Sequence, residues 1–99
     1  MATPLILSAT RRTDGTRVLI ARGELDLSNI DQFIEALREA TADGGTVTID
    51  LSQVEYLDSA AINTLFAHVG HIEIVANRVL MPLLQFSGLA DVVTVRPPL

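Results

Sequence analysis

The chain has 99 residues, 48% of them hydrophobic and 4% aromatic, with no Trp, which fits one compact aliphatic core and leaves too little for two domains. It has no Cys and a formal net charge of −5, which excludes disulfides, thiol catalysis and Cys-based zinc and opposes binding to nucleic-acid phosphates. With no apolar run near the ~18 residues of a membrane span, and no basic or apolar leader pattern in Met1-Ala2-Thr3-Pro4, a cytoplasmic protein without membrane insertion is expected.

Leu5 to Thr13 reads as a first strand and Thr16 to Gly23 as a second. Asp14-Gly15 between them is a hairpin signal, because glycine accepts positive φ. Val18-Leu19-Ile20-Ala21 is apolar on both faces, as in the interior of a sheet. After the Gly23-Glu24-Leu25-Asp26-Leu27 loop, Ser28 with Asp31 predicts a capped helix start. Ile30, Phe33, Ile34 and Leu37 form one helical stripe, and Asp43-Gly44-Gly45 ends it. Thr46 to Leu51 alternates with period two, as a strand does. A short connection carrying Val54 and Leu57 then leads to Asp58 and Ser59. The stripe Ile62, Leu65, Phe66 and Val69 predicts a second helix, ended by Gly70. Ile72 to Ala76 is a fourth strand. A third helical segment spans Arg78 to Ser87, with Pro82 near its regular start and Gly88 at its stop. Val92 to Arg96 is a last short strand.

The order is β-β-α-β-α-β-α-β over residues 1–99, one domain. It predicts an α/β fold with a mixed sheet of about five strands and helices packed against it. Crossovers after Gly23 imply parallel pairing with right-handed connections, and the opening hairpin adds an antiparallel edge.

Ser59 stands at the mouth of the second helix, beside Asp58. One reading is a helix cap, worth ~1 kcal/mol. The other is a reactive or modifiable hydroxyl at a place whose unpaired N–H groups tolerate a phosphate. Spacing alone leaves both open. A nucleophile needs a base within reach, and the only histidines, His68 and His71, lie far along the chain. An enzyme is therefore not expected, nor is a cofactor. Asp26 and Asp58 follow predicted strands, at the edge of an α/β sheet where sites form. Two carboxylates there suit Mg²⁺ in principle, but capping and solvation are their simpler roles. His68 and His71 are separated by Gly70, so a metal site is not expected.

Three segments in order, Gly23-Glu24-Leu25-Asp26, Leu51 to Ser59 and Ser87-Gly88-Leu89, resemble the STAS domain of bacterial anti-sigma factor antagonists. The resemblance covers nearly the whole chain. It implies a non-enzymatic transcription regulator that docks on an anti-sigma factor with serine kinase activity and so frees a sigma factor. It implies Ser59 as the phosphoacceptor, with a serine phosphatase to reverse the modification. Asp58 and Asp26 match the family's acidic residues, and Ile62 and Asn63 fall on the same implied partner surface. The family often reads Asp-Ser-Ser/Thr-Gly where this chain has Asp58-Ser59-Ala60-Ala61, which marks a divergent member. The alternative within the same fold is an accessory subunit that regulates the ATPase of a membrane transporter.

Overall fold

Asp14-Gly15 turns the chain as its composition predicts. Gly15 holds φ at +90°, and the Asp14 carboxylate accepts the Thr16 N–H at 2.9 Å. That backbone hydrogen bond holds the Asp14 carboxyl below the usual carboxylate range. Strand β1 (Ile6–Arg11) therefore folds back antiparallel on β2 (Arg17–Leu25), with Ile6 opposite Arg22 and Arg11 opposite Arg17. The computed structural model describes residues 3–98.

From β2 onward every strand is parallel to its neighbour. Helix α1 (Ile30–Ala40) carries the chain to β3 (Val47–Leu57), and α2 (Ser59–Phe66) carries it to β4 (Ile72–Ala76). Two short helices, α3 (Met81–Phe86) and α4 (Leu89–Val92), lead to β5 (Val95–Arg96). The sheet order is β1-β2-β3-β4-β5, a mixed five-stranded sheet with four helices among the described residues.

One hydrophobic cluster unites one face of the sheet with all four helices. Leu19, Ile49, Leu51 and Ile74 come from the strands, Phe33 and Leu37 from α1, Leu65 from α2, Leu84 from α3 and Leu89 from α4. Strand alternation turns Thr48 and Glu73 to the other face. There the Thr48 hydroxyl donates to Glu73 Oε1 at 2.8 Å, and Arg96 donates to the same oxygen.

Several boundaries differ from the sequence expectation, each for a physical reason. Strand β3 runs on through the predicted connection to Leu57, pairing only with β2 beyond Leu51, since β4 ends at Ala76. The Asn77 side chain replaces the missing neighbour, donating to the carbonyls of Ser52 at 3.2 Å and Val54 at 2.8 Å. Helix α1 begins at Ile30, and Ser28 is not its cap. Asp26 Oδ1 takes both the backbone N–H and the hydroxyl of Ser28, the local side-chain bonding that competes with helix start. Helix α2 stops at Phe66, before Gly70. Gly88, at φ +85°, ends α3 and also opens α4, so part of the expected last strand is a helical turn.

Gly23 bends β2 into the loop that carries Asp26. It sits at φ +96°, and a Cβ there would lie 2.1 Å from the Pro4 carbonyl oxygen. Gly23→Ala is expected to destabilise the fold by about 1–3 kcal/mol, the usual range for overpacking. Urea unfolding checks this, and an unchanged midpoint would show that the segment before β1 yields freely.

Candidate functional site

The parallel strands all end at one edge of the sheet, and the three βα connections gather there. In open α/β sheets, this edge outside the carboxyl ends of strands is where ligands and partners meet the fold. The connection after β2 holds Asp26, that after β3 holds Asp58 and Ser59, and that after β4 holds Asn77 to Leu80.

The loop after β2 is folded by its own polar side chains. Asp26 accepts from Ser28, while Asn29 Oδ1 accepts the Asp26 N–H at 3.0 Å and Asn29 Nδ2 donates to the Glu24 carbonyl at 2.9 Å. These bonds satisfy backbone groups that no strand or helix takes up. They leave Leu27 pointing outward, 74% exposed.

Asp58 joins this loop to α2. Its backbone is extended, at φ −104° and ψ −175°, as an N-cap requires. Oδ1 accepts the Ala61 N–H at 3.1 Å, which caps the helix. Oδ2 accepts the Leu27 N–H at 2.8 Å, across 31 residues of sequence. The Asp58 N–H in turn donates to the Leu25 carbonyl at 3.3 Å. One half-buried carboxylate thus fixes the helix start and the loop at once.

The cap reading of Ser59 is therefore corrected: Asp58 is the cap, and Ser59 is the first residue of α2, exposed to solvent. Asn63, one turn further, is also exposed. Ile62 is not on this surface. It is 7% exposed and belongs to the core cluster, where it anchors the helix under the exposed residues. The methyl of Ala61 is fully buried and turned away from the Ser59 hydroxyl's surroundings in solvent. Alanine in place of the family's small residues thus fills the core at this point.

Both carboxylates spend oxygens on backbone N–H groups. Among the described residues there is no group of three or more His, Cys, Asp or Glu placed to hold a metal ion. His68 lies past the end of α2, its Nδ1 2.9 Å from the Thr64 carbonyl. None of Asp26, Asp58 and Ser59 lines any of four concavities on the surface. One of about 370 Å³ opens between β1, β2 and α1 beside Ala36, and one of about 520 Å³ lies beside Arg12, Asp50 and Arg96. The Asp58–Ser59 site is thus an open surface, shaped for contact with another surface more than for enclosing a small molecule.

The profile of the family described as "Mlab, STAS domain" matches residues 8–94. The chain belongs to the STAS domain family. No curated protein matches this STAS domain. Solved structures do. An anti-sigma factor antagonist from Mycobacterium paratuberculosis superposes with a TM-score of 0.87 at 24% identity, over 100% of this chain and 92% of that one. The anti-sigma factor antagonist SpoIIAA in its unphosphorylated form gives 0.73 at 19% identity, over 95% and 89%. The Bacillus cell fate determinant SpoIIAA in the phosphorylated form gives 0.62 at 20%, over 95% and 92%. These likenesses establish a SpoIIAA-like fold for this STAS domain. Among its described residues no helix is long and apolar enough to cross a membrane.

The Asp58 tie was the feature least visible in the sequence. The only signal for it was a carboxylate three residues before Ala61, at capping distance, in a chain where a hydroxyl competed for the same role.

Proposed function

We propose that this STAS domain is an anti-sigma factor antagonist. In this reading it is a cytoplasmic, non-enzymatic regulator that docks on an anti-sigma factor with serine kinase activity and frees a sigma factor. Ser59 is the phosphoacceptor, and a serine phosphatase restores it. Asp26, Asp58, Ser59 and Asn63 form the docking centre, with Ile62 beneath them.

The observation that carries the reading is the Asp58 carboxylate holding both the Leu27 and the Ala61 N–H. It presents an exposed hydroxyl, an acidic pair and the β2–α1 loop as one unit on an open surface. Such a unit suits a macromolecular partner. A hydrolytic role lacks support, because a serine nucleophile needs a base at ~2.6–3.2 Å and the nearest histidine sits nine positions on, against Thr64. The phosphoregulated reading draws support from SpoIIAA, a protein of the same fold solved in both unphosphorylated and phosphorylated forms.

The test is a binding assay against each kinase-type anti-sigma factor of the source genome, purified with ATP. Charge reversal in Asp26→Lys is expected to weaken binding at least ~10-fold, since misplaced charge at an interface costs several kcal/mol. Melting temperature, read in parallel, separates this from unfolding. Wild-type affinity in Asp26→Lys would remove the loop from the docking centre. Capture of a transporter ATPase, with the same sensitivity to Asp26→Lys, would instead give the domain the accessory-subunit role.

A further inference from the structure

The end of the sheet opposite Ser59 carries a hollow that the packing leaves unfilled. Arg17 opens β2 beside Val47, the first residue of β3, so this is the amino edge of the parallel strands. A concavity of about 370 Å³ lies there, between the β1–β2 hairpin and α1. Its cause can be read from the side chains. On the face of the hairpin turned to α1, Ala9 stands opposite Leu19 and Arg11 opposite Arg17. Helix α1 answers with Ala36 and Ala40, one turn apart. Three methyl side chains meet where longer ones would close the gap, and buried Leu19 forms an apolar floor.

The mouth of the hollow holds two like charges. Directly opposed residues of an antiparallel pair have Cβ atoms about 4.5–5.5 Å apart, and like charges so placed repel. Arg17 is compensated. Its guanidinium reaches Asp43 Oδ2 at 3.0 Å and donates to the Ala40 carbonyl at 3.1 Å, at the negative end of the α1 dipole. Arg11 is exposed and takes part in none of the ion pairs among the described residues. Glu39 also borders the hollow, and its carboxylate pairs with neither arginine. In a chain of formal charge −5, a guanidinium without a partner at the rim of an apolar hollow is a fixed attraction for an anion.

We propose that this hollow binds a small apolar carboxylate, with Arg11 pairing the carboxylate and Ala9, Leu19, Ala36 and Ala40 covering the hydrocarbon. A guanidinium matches a carboxylate with two parallel, charge-assisted hydrogen bonds, which a neutral or cationic head group cannot accept. The volume sets the size. Small-molecule sites run from about 300 to 1,000 Å³, and this one stands at the low end, which admits one short chain and excludes a two-chain lipid. The site is separate from the Asp58–Ser59 surface and does not depend on the docking role proposed above.

Octanoate is the probe, titrated into the full-length chain and followed by amide chemical shifts, with 1-octanol and octylamine as neutral and cationic isosteres. The expected result is a saturable shift centred on Ala9, Leu19, Ala36 and Ala40, with both isosteres binding at least ~10-fold more weakly. Arg11→Gln should weaken octanoate at least ~10-fold and bring it close to octanol. Arg22→Gln, a charge removed from the opposite face of β2, should change nothing. Ala36→Leu should fill the hollow and abolish the shift, and a melting temperature at or above that of wild type shows its fold intact. The proposal is overturned by the absence of a saturable octanoate shift, by octylamine binding as tightly as octanoate, or by wild-type affinity in Arg11→Gln or in folded Ala36→Leu. Weaker binding in Glu39→Gln makes the acid part of the site and overturns it too. So does a shift at the same amides that grows with protein concentration alone, which assigns the hollow to a second copy.

Discussion

Asp58→Ala is expected to cost about 2–4 kcal/mol of stability, because it removes two hydrogen bonds to a carboxylate at ~1.5–3 kcal/mol each, discounted for partial exposure. Oδ1 holds the Ala61 N–H and Oδ2 holds the Leu27 N–H, so one truncation frays the start of α2 and releases the β2–α1 loop together. Asp58→Asn keeps one acceptor oxygen and should lose about half as much. Its amide can still cap Ala61, but it turns a donor toward the Leu27 N–H. Ser59→Ala should change stability by no more than ~0.5 kcal/mol, since Ser59 lies inside the helix as its first residue and does not cap it. Urea unfolding gives the three values, and amide exchange at Leu27 and Ala61 shows which end of the tie was lost. If Ser59→Ala is the costly variant and Asp58→Ala is mild, the capping assignment is reversed.

The layout of the fold could be read from the sequence because its signals were local and redundant. The Asp14-Gly15 turn and the Phe33–Leu37 stripe each specify one element through their own spacing. Pro82, in the first turn of α3, and Gly88, at its end, frame that helix as such residues do. What escaped is what depends on neighbours. Residues 52–57 look too polar for a strand because Gln53, Glu55 and Tyr56 are exposed, with β4 already ended. Pairing with β2 on one side and the distant Asn77 side chain on the other hold the extension, and neither partner can be read from the segment itself. The helix starts failed for a related reason. Ser28 stands two residues after an aspartate and Ser59 directly after one, and a short carboxylate reaches nearby N–H groups as readily as a hydroxyl does. In both places the aspartate took the bonds. That Asp26 and the Asp58–Ser59 pair meet at one sheet edge could be expected because each follows a parallel strand, and the Asp58–Leu27 hydrogen bond joins the two connections. Ile62 was assigned to the surface from its position in the motif, whereas the i, i+3 stripe with Leu65 already placed it on the buried face.

A phosphate on Ser59 is expected to leave the fold nearly unchanged and to weaken partner binding at least ~100-fold. The two effects separate because they arise from different neighbours. Toward the fold, the phosphate sits in the first turn of α2, where the helix dipole favours negative charge by ~0.3–1 kcal/mol. Repulsion from Asp58 offsets that gain, so the melting temperature should move by only a few degrees. Toward the partner, the group adds about −1.5 to −2 charges to a surface already carrying Asp26 and Asp58. Meeting an interface built for the unmodified acid pair, that charge faces desolvation and like-charge costs of several kcal/mol, and ~2.8 kcal/mol already equals 100-fold. Ser59→Glu adds one charge with carboxylate geometry, so it should reproduce only part of the loss. Ser59→Ala should bind like wild type and accept no phosphate. The burial of Ala61 matters here, because its methyl fills the core and adds nothing to the exposed surface around Ser59. The measurement pairs intact-protein mass after incubation with the kinase-type anti-sigma factor and ATP with affinities of all four species. Suppose no cognate kinase modifies Ser59, and Ser59→Glu binds as tightly as wild type. The hydroxyl then has no switching role, and Asp58, which holds the loop and the helix together, is left as the functional centre of this edge.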